Sequence, residues 1–173
     1  METELLIKKA KKGNKEALLQ LVMAHEADYY KLAYVYMKDK DDALDAMQDM
    51  IVILYENMSK LKKEEAFYSW SKTILVNLCK NKLKKDNKVI PLDEIKTEAQ
   101  YETYDKSENQ IVLEKHLSKL SEKQQEAIKL KYFLDLDYKT ISEILKIPIG
   151  TVKSRISIGI ENLRESIGGD SIE

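Results

Sequence analysis

The stretch Ile147–Arg164, IPIGTVKSRISIGIENLR, decides how the C-terminal part of the chain folds. Pro148 and Gly150 interrupt whatever helix precedes them, and the residues that follow settle into helical apolar spacing. Val152 and Ile156, four apart, face a core. Thr151, Lys153, Ser154, Arg155 and Ser157 are thereby turned mostly outward. Just upstream, DYKTISEIL supplies a short helix with Ile141, Ile144 and Leu145 inside and the small Ser142 where two helices must approach. Two helices joined by KIPIG have helix-turn-helix spacing. Hydroxyls and cations on a protruding helix N-terminus suit phosphates and base edges. An ordinary hairpin with a solvated charged face has the same spacing, so spacing alone leaves both readings open.

Working outward, apolar periodicity predicts helices over 109–118, 121–132, 138–145 and 151–167. Before them, DNKVIPLDEIKTEAQYETYDKSEN contains a Pro, scattered acids and no sustained period, which reads as a flexible acidic linker. Periodicity also predicts N-terminal helices over 3–12, 14–37, 43–58 and 67–85. Gly13-Asn14 is the first breaker and cap, and Asp41 or Asp42 is the expected cap of the third helix. The fourth helix is expected to bury Trp70, Ile74, Leu75 and Leu78. With only 5 Gly and 2 Pro in 173 residues, the expected class is all-α. Two small helical domains, 1–86 and 111–169, are joined by the linker 87–110.

The net charge of −1 conceals segregation: residues 60–88 hold nine lysines against three acids, net +6, and residues 89–115 are net −4. A basic block beside an acidic one steers anionic partners. The lone Cys79 excludes an internal disulfide framework. The acid-first N-terminus is unlike a signal peptide, and no apolar run is of membrane-spanning length, so a cytoplasmic location is expected. His25 and His116 have no metal-ligand spacing, and no phosphate loop or nucleophile elbow is present. No catalytic residue, metal or cofactor is assigned.

Two polar surfaces stand out in the N-terminal half. Asp45, Gln48 and Asp49 share one helical face. Asn77, Lys80, Asn81 and Lys84 form a cationic stripe suited to phosphates, within which Asn77 can address a base edge. Trp70 fits a core position at helical spacing with Ile74, and an indole there could also stack on a base.

GTVKSR, preceded by YKTISEILKIP and LSEKQQEAIKLKYF, closely resembles region four of bacterial RNA polymerase sigma factors. DALDAMQDMIVILY resembles region two, and FYSWSKTILVNLCKNKLKK resembles the adjoining promoter-reading helix. Order, spacing and the bare two-domain layout are those of the extracytoplasmic-function group. This resemblance implies that Asp45, Gln48 and Asp49 dock on core RNA polymerase. It implies that Trp70, Asn77, Lys80, Asn81 and Lys84 contact the −10 element, with a flipped base captured at the loop ENMSKLKKEEA. It further implies that Thr151, Lys153, Ser154, Arg155 and Ser157 contact the −35 element. An anti-sigma factor is a further implied partner. Ile158 and Ile160 stand where the family is commonly basic, and only two arginines, Arg155 and Arg164, are present. The competing function is a stand-alone helix-turn-helix regulator that binds duplex DNA without polymerase.

Overall fold

The computed structural model describes residues 2–88 and 108–172. Every regular element among these residues is helical: α1 (Glu2–Lys11), α2 (Lys15–Met23), α3 (Glu26–Met37), α4 (Lys40–Asn57) and α5 (Phe67–Lys88), then α6 (Glu108–Leu117), α7 (Glu122–Ile128), α8 (Tyr138–Leu145) and α9 (Ile149–Ile172). Contacts divide the chain into two compact units, Met1–Asp86 and Asn87–Glu173. Of the expected linker, residues 89–107 lie outside the described set, whereas Asn87 and Lys88 continue α5 and Glu108 opens α6.

In the first unit, Asn14 caps α2 by accepting the Ala17 N–H at 3.0 Å, beside Gly13 at φ +97°. The single helix expected over 14–37 is two helices, with Ala24 ending α2 and His25 preceding α3. The apolar period hides this break. Val22 and Tyr29 are seven apart, so the stripe continues in phase across the turn. At the break His25 packs its ring 4.1 Å from that of Tyr68 on α5, a contact that sequence spacing cannot reveal. The cap of α4 is Asp39, which accepts the Asp42 N–H at 2.9 Å, rather than Asp41 or Asp42. Lys38 before it takes the left-handed conformation that turns the chain.

The stripe that α5 buries differs from the expected one. Phe67, Ser71, Leu75, Val76 and Cys79 are buried, while Trp70, Ile74 and Leu78 are only half-buried. Ser71 makes this possible. Its hydroxyl meets the Tyr29 hydroxyl at 2.7 Å and donates to the Tyr68 carbonyl at 2.9 Å, so a polar side chain sits in the core with partners. Burial raises the Tyr29 phenol well above its ordinary range and pushes the Cys79 thiol up to about 12, leaving an inert core cysteine.

The second unit is organised on α9. Leu117, Leu120 and Ile128 form a cluster completed by Leu113, Ile160 and Leu163. Buried Ile141 and Ile144 on α8 and Val152 and Ile156 on α9 complete the helix-turn-helix interior. The close approach falls at Gly159. A Cβ there would lie 2.8 Å from Ile128 Cδ1 and 3.3 Å from Gln124 Cβ. Ser142, on α8 beside the turn, donates its hydroxyl to the Ile147 carbonyl and closes that turn. The helix expected over 121–132 is α only to Ile128, and Lys129–Phe133 widens into a π turn. Asp137 caps α8 by accepting the Thr140 N–H at 2.7 Å. Lys146 ends the helix in the left-handed region at φ 57°.

Candidate nucleic-acid and partner interfaces

At the start of α9, burial of Val152 and Ile156 fixes which residues face out. Lys153, Ser154 and Ser157 are exposed, whereas Thr151 and Arg155 are half-buried at the edge of the same surface. Side chains at this edge suit a backbone grip, and the exposed ones reach furthest. The ring of Tyr138, the first residue of α8, lies 5.6 Å below Lys153 Nζ and 4.6 Å below Lys131 Nζ. This shared ring gathers two cations and adds Tyr138 and Lys131 to the surface. The sequence signal was faint: a Lys before the turn and a Tyr after it, with no periodicity linking them.

On α5 the expected cationic stripe is present along one side. Asn81 and Lys84 are exposed, and Asn77 and Lys80 are half-buried, with Lys80 Nζ 6.0 Å from the Tyr36 ring centre. At the other end of the helix, Lys60, Leu61, Lys62, Lys63, Ala66 and Trp70 line an open cleft of about 340 Å³. Trp70 is half-buried, with its ring centre 6.4 Å from that of Phe67. It is thus wedged against the core and also forms a wall of the cleft. A volume of this size holds a planar heterocycle, and three lysines at its rim favour an anionic ligand.

Asp45, Gln48 and Asp49 are all exposed on α4, opposite the buried Ala43, Ala46, Met47 and Met50. Two features of this face escape a reading by residue type. Val52 is 55% exposed and Tyr55 41% exposed, continuing the same three-and-four spacing, so the acidic face runs into an apolar one. Extending the 45–48–49 register by one turn would have found them. The second feature is long-range: Lys82 Nζ on α5 lies 2.8 Å from Asp49 Oδ2. Asp49 therefore carries an internal partner.

Among the described residues no three His, Cys, Asp or Glu are grouped to hold a metal, and no helix is long and apolar enough to cross a membrane. His25 is paired with Asp28 at 3.3 Å, and His116 is buried with Nδ1 2.7 Å from the Ser166 hydroxyl.

Family comparison agrees with this geometry at both units. Residues 21–89 match the model of sigma-70 region 2, and residues 111–163 match that of sigma-70 region 4. The chain is 29% identical over 156 residues to RNA polymerase sigma factor SigV of Bacillus subtilis, covering 90% of this chain and 94% of that protein. It is also 29% identical over 176 residues to the ECF RNA polymerase sigma factor SigW of the same organism, covering 93% and 94%. Among solved structures, the sigma factor RpoE of Bartonella quintana, in complex with the anti-sigma factor NepR, shares the fold with a TM-score of 0.65. Identity there is 23%, covering 90% of this chain and 98% of that one. Two region models in family order, and relatives matched over nearly their whole length, give one conclusion: the chain belongs to the sigma-70 family of RNA polymerase sigma factors, in its extracytoplasmic-function group.

Proposed function

We propose that the chain binds core RNA polymerase and directs promoter-specific transcription initiation, reading the −10 element with its first unit and the −35 element with its second. The observation that carries this is the outward triplet Lys153, Ser154 and Ser157, held on the second helix of a helix-turn-helix by buried Val152 and Ile156. Region 2 and region 4 matches support polymerase-dependent action over a stand-alone regulator. The chain itself performs no catalytic step, and bond formation belongs to the polymerase. A cytoplasmic site of action follows from that partnership.

Residue roles are assigned on the same basis. Asp45, Gln48 and Asp49 dock on the polymerase, with Val52 and Tyr55 extending the contact. Lys80, Asn81 and Lys84 hold backbone phosphates, and Asn77 addresses a base edge. The cleft beside Trp70 receives a base taken from the stack, a step costing a few kcal/mol that stacking on the indole offsets. Thr151 and Arg155 grip phosphate at the −35 element, and Lys153, Ser154 and Ser157 reach bases. An anti-sigma factor is the second protein partner, covering surfaces that polymerase would otherwise occupy.

The test is reconstitution. Purified chain mixed with core polymerase should comigrate on a sizing column and confer promoter-specific transcripts. Replacing Asp45, Gln48 and Asp49 by Ala should abolish comigration at micromolar concentration, since charged contacts of this kind are worth about 1.5–3 kcal/mol each. Unchanged affinity in the triple variant would remove the docking face. Sequence-specific binding to duplex DNA without polymerase would favour the stand-alone regulator.

A further inference from the structure

Lys82 stands apart from the other lysines of its run. At 100° per residue it lies about 200° around α5 from Lys80, away from the stripe of Asn77, Lys80, Asn81 and Lys84. It points toward α4 and is half-buried, with 31% of its side chain exposed, while Asp49 remains 53% exposed. Its surroundings are acidic on both helices. Asp49, Asp45 and Asp42 of α4 all hold its ammonium above the ordinary lysine range, chiefly through the hydrogen bond from Lys82 to Asp49. Asp42 is in turn pushed above the usual carboxylate range, by partial desolvation first and then by Asp39, Asp86 and Asp45, with Lys82 opposing that shift. Lys82 is thus a cation set among carboxylates that would otherwise repel one another.

We propose that Lys82 is a positioning residue for polymerase docking: its ion pair holds the Asp49 carboxylate on α4 in one orientation while leaving much of that carboxylate open to a cationic partner. This rests on the docking role assigned to α4. A carboxylate already held in one orientation loses less freedom when a partner cation arrives. The role is distinct from phosphate binding, which the opposite side of α5 serves. It also links the two functional faces of the first unit mechanically, because the α5 residue that orients the docking acid is two positions from Lys80 and Lys84.

The experiment measures core-polymerase affinity and dissociation rate for the full chain carrying Lys82→Met, Lys82→Gln, Lys82→Arg, Asp49→Asn, Asp45→Ala and the Lys82→Met/Asp49→Asn pair. Thermal melts monitor folding, so that only variants with a retained transition are compared. Lys82→Met and Lys82→Gln should lose about 3- to 10-fold in affinity, mostly through faster dissociation. Lys82→Arg should recover most of it. The double variant should be little worse than Asp49→Asn alone, since both changes remove one coupled contact. Binding of the assembled holoenzyme to an A·T-rich linear duplex should keep its salt dependence in Lys82→Met. If Asp45→Ala and Asp49→Asn lose affinity but Lys82→Met does not, the positioning role is overturned and the docking face stands. Strict additivity in the double variant, or a flattened salt dependence for DNA, also overturns it. If Asp45→Ala and Asp49→Asn are themselves without effect, the docking face falls and Lys82 has nothing to position.

Discussion

Helices α5 and α9 both present polar, cationic surfaces, yet they are seated in opposite ways. The buried side of α5 is anchored by a whole aromatic ring, Phe67, and by a hydrogen-bonded polar pair, Ser71 with Tyr29. Helix α9 is anchored by branched aliphatics, Val152 and Ile156, and by the absence of a side chain at Gly159. The cations differ as well. Those of α5 belong to a dense lysine run, whereas Lys153 is set among serines and shares the Tyr138 ring with Lys131. Dense lysines attract any phosphate backbone, while a sparse set of donors on a shaped surface can discriminate among bases. Under the proposed roles, the contrast gives backbone grip to the lysines of α5, beside the base contacts of Asn77 and Trp70, and base discrimination to Lys153 of α9.

The seating contrast is broken most strongly at Phe67. Phe67→Ala removes a fully buried ring and should cost the first unit about 3–5 kcal/mol, read as a lowered unfolding midpoint in urea. A cost under about 1 kcal/mol would show that α5 is held mainly elsewhere. The counterpart on α9 is Gly159→Leu, which inserts volume where a Cβ already meets Ile128 at 2.8 Å. It should cost about 1–3 kcal/mol in the second unit, while Gly159→Ala should cost less, because the gain in helix propensity opposes the crowding of a flexible side-chain tip.

The division between grip and discrimination is sharpened by comparing lysines. Lys153→Ala should lose about 1–3 kcal/mol of discrimination at one base pair of the −35 element, visible in a base-by-base promoter scan. Lys80→Ala and Lys84→Ala should instead weaken all promoters alike, each reducing the salt slope by about 1. A uniform loss with Lys153→Ala would make it a phosphate anchor. The smallest expected effect concerns the cap of α8. The backbone N–H of Thr140 holds the Asp137 carboxyl below its ordinary range. A lowered folded value means that this stabilisation is fully present above the ordinary carboxylate range and fades as pH falls through the folded value. Asp137→Ala should cost about 1 kcal/mol at neutral pH, and the gap between variant and parent should narrow in acid. A pH-independent difference would place the contribution outside the carboxylate.

Several of these features can be read directly along the chain. The all-helical class, the inward Val152 and Ile156 and the outward Lys153, Ser154 and Ser157 follow from periods of three and four. So does the exposed face of Asp45, Gln48 and Asp49. Others fail for identifiable reasons. The break at Ala24–His25 leaves the apolar phase unchanged, so no local signal marks it. Helical spacing with Ile74 fits Trp70 to the core and leaves base stacking open as well, but α5 is rotated to bury Ser71, which leaves Trp70 half-buried at the cleft.

What the sequence alone determined lies among neighbours within about one helical turn: the Asn14 cap, though not the Asp39 cap of α4, the helix-turn-helix pattern, and which residue types share a face. What only the tertiary structure decided are the pairings across long separations. Tyr29 with Ser71 is 42 residues apart and His116 with Ser166 is 50. Lys82 with Asp49, and Gly159 against Ile128, likewise join different helices. The physical reason is that helical period fixes the angle of a side chain about its own axis, whereas the rotation of one helix against another is set by packing and buried polar partners summed over the whole unit.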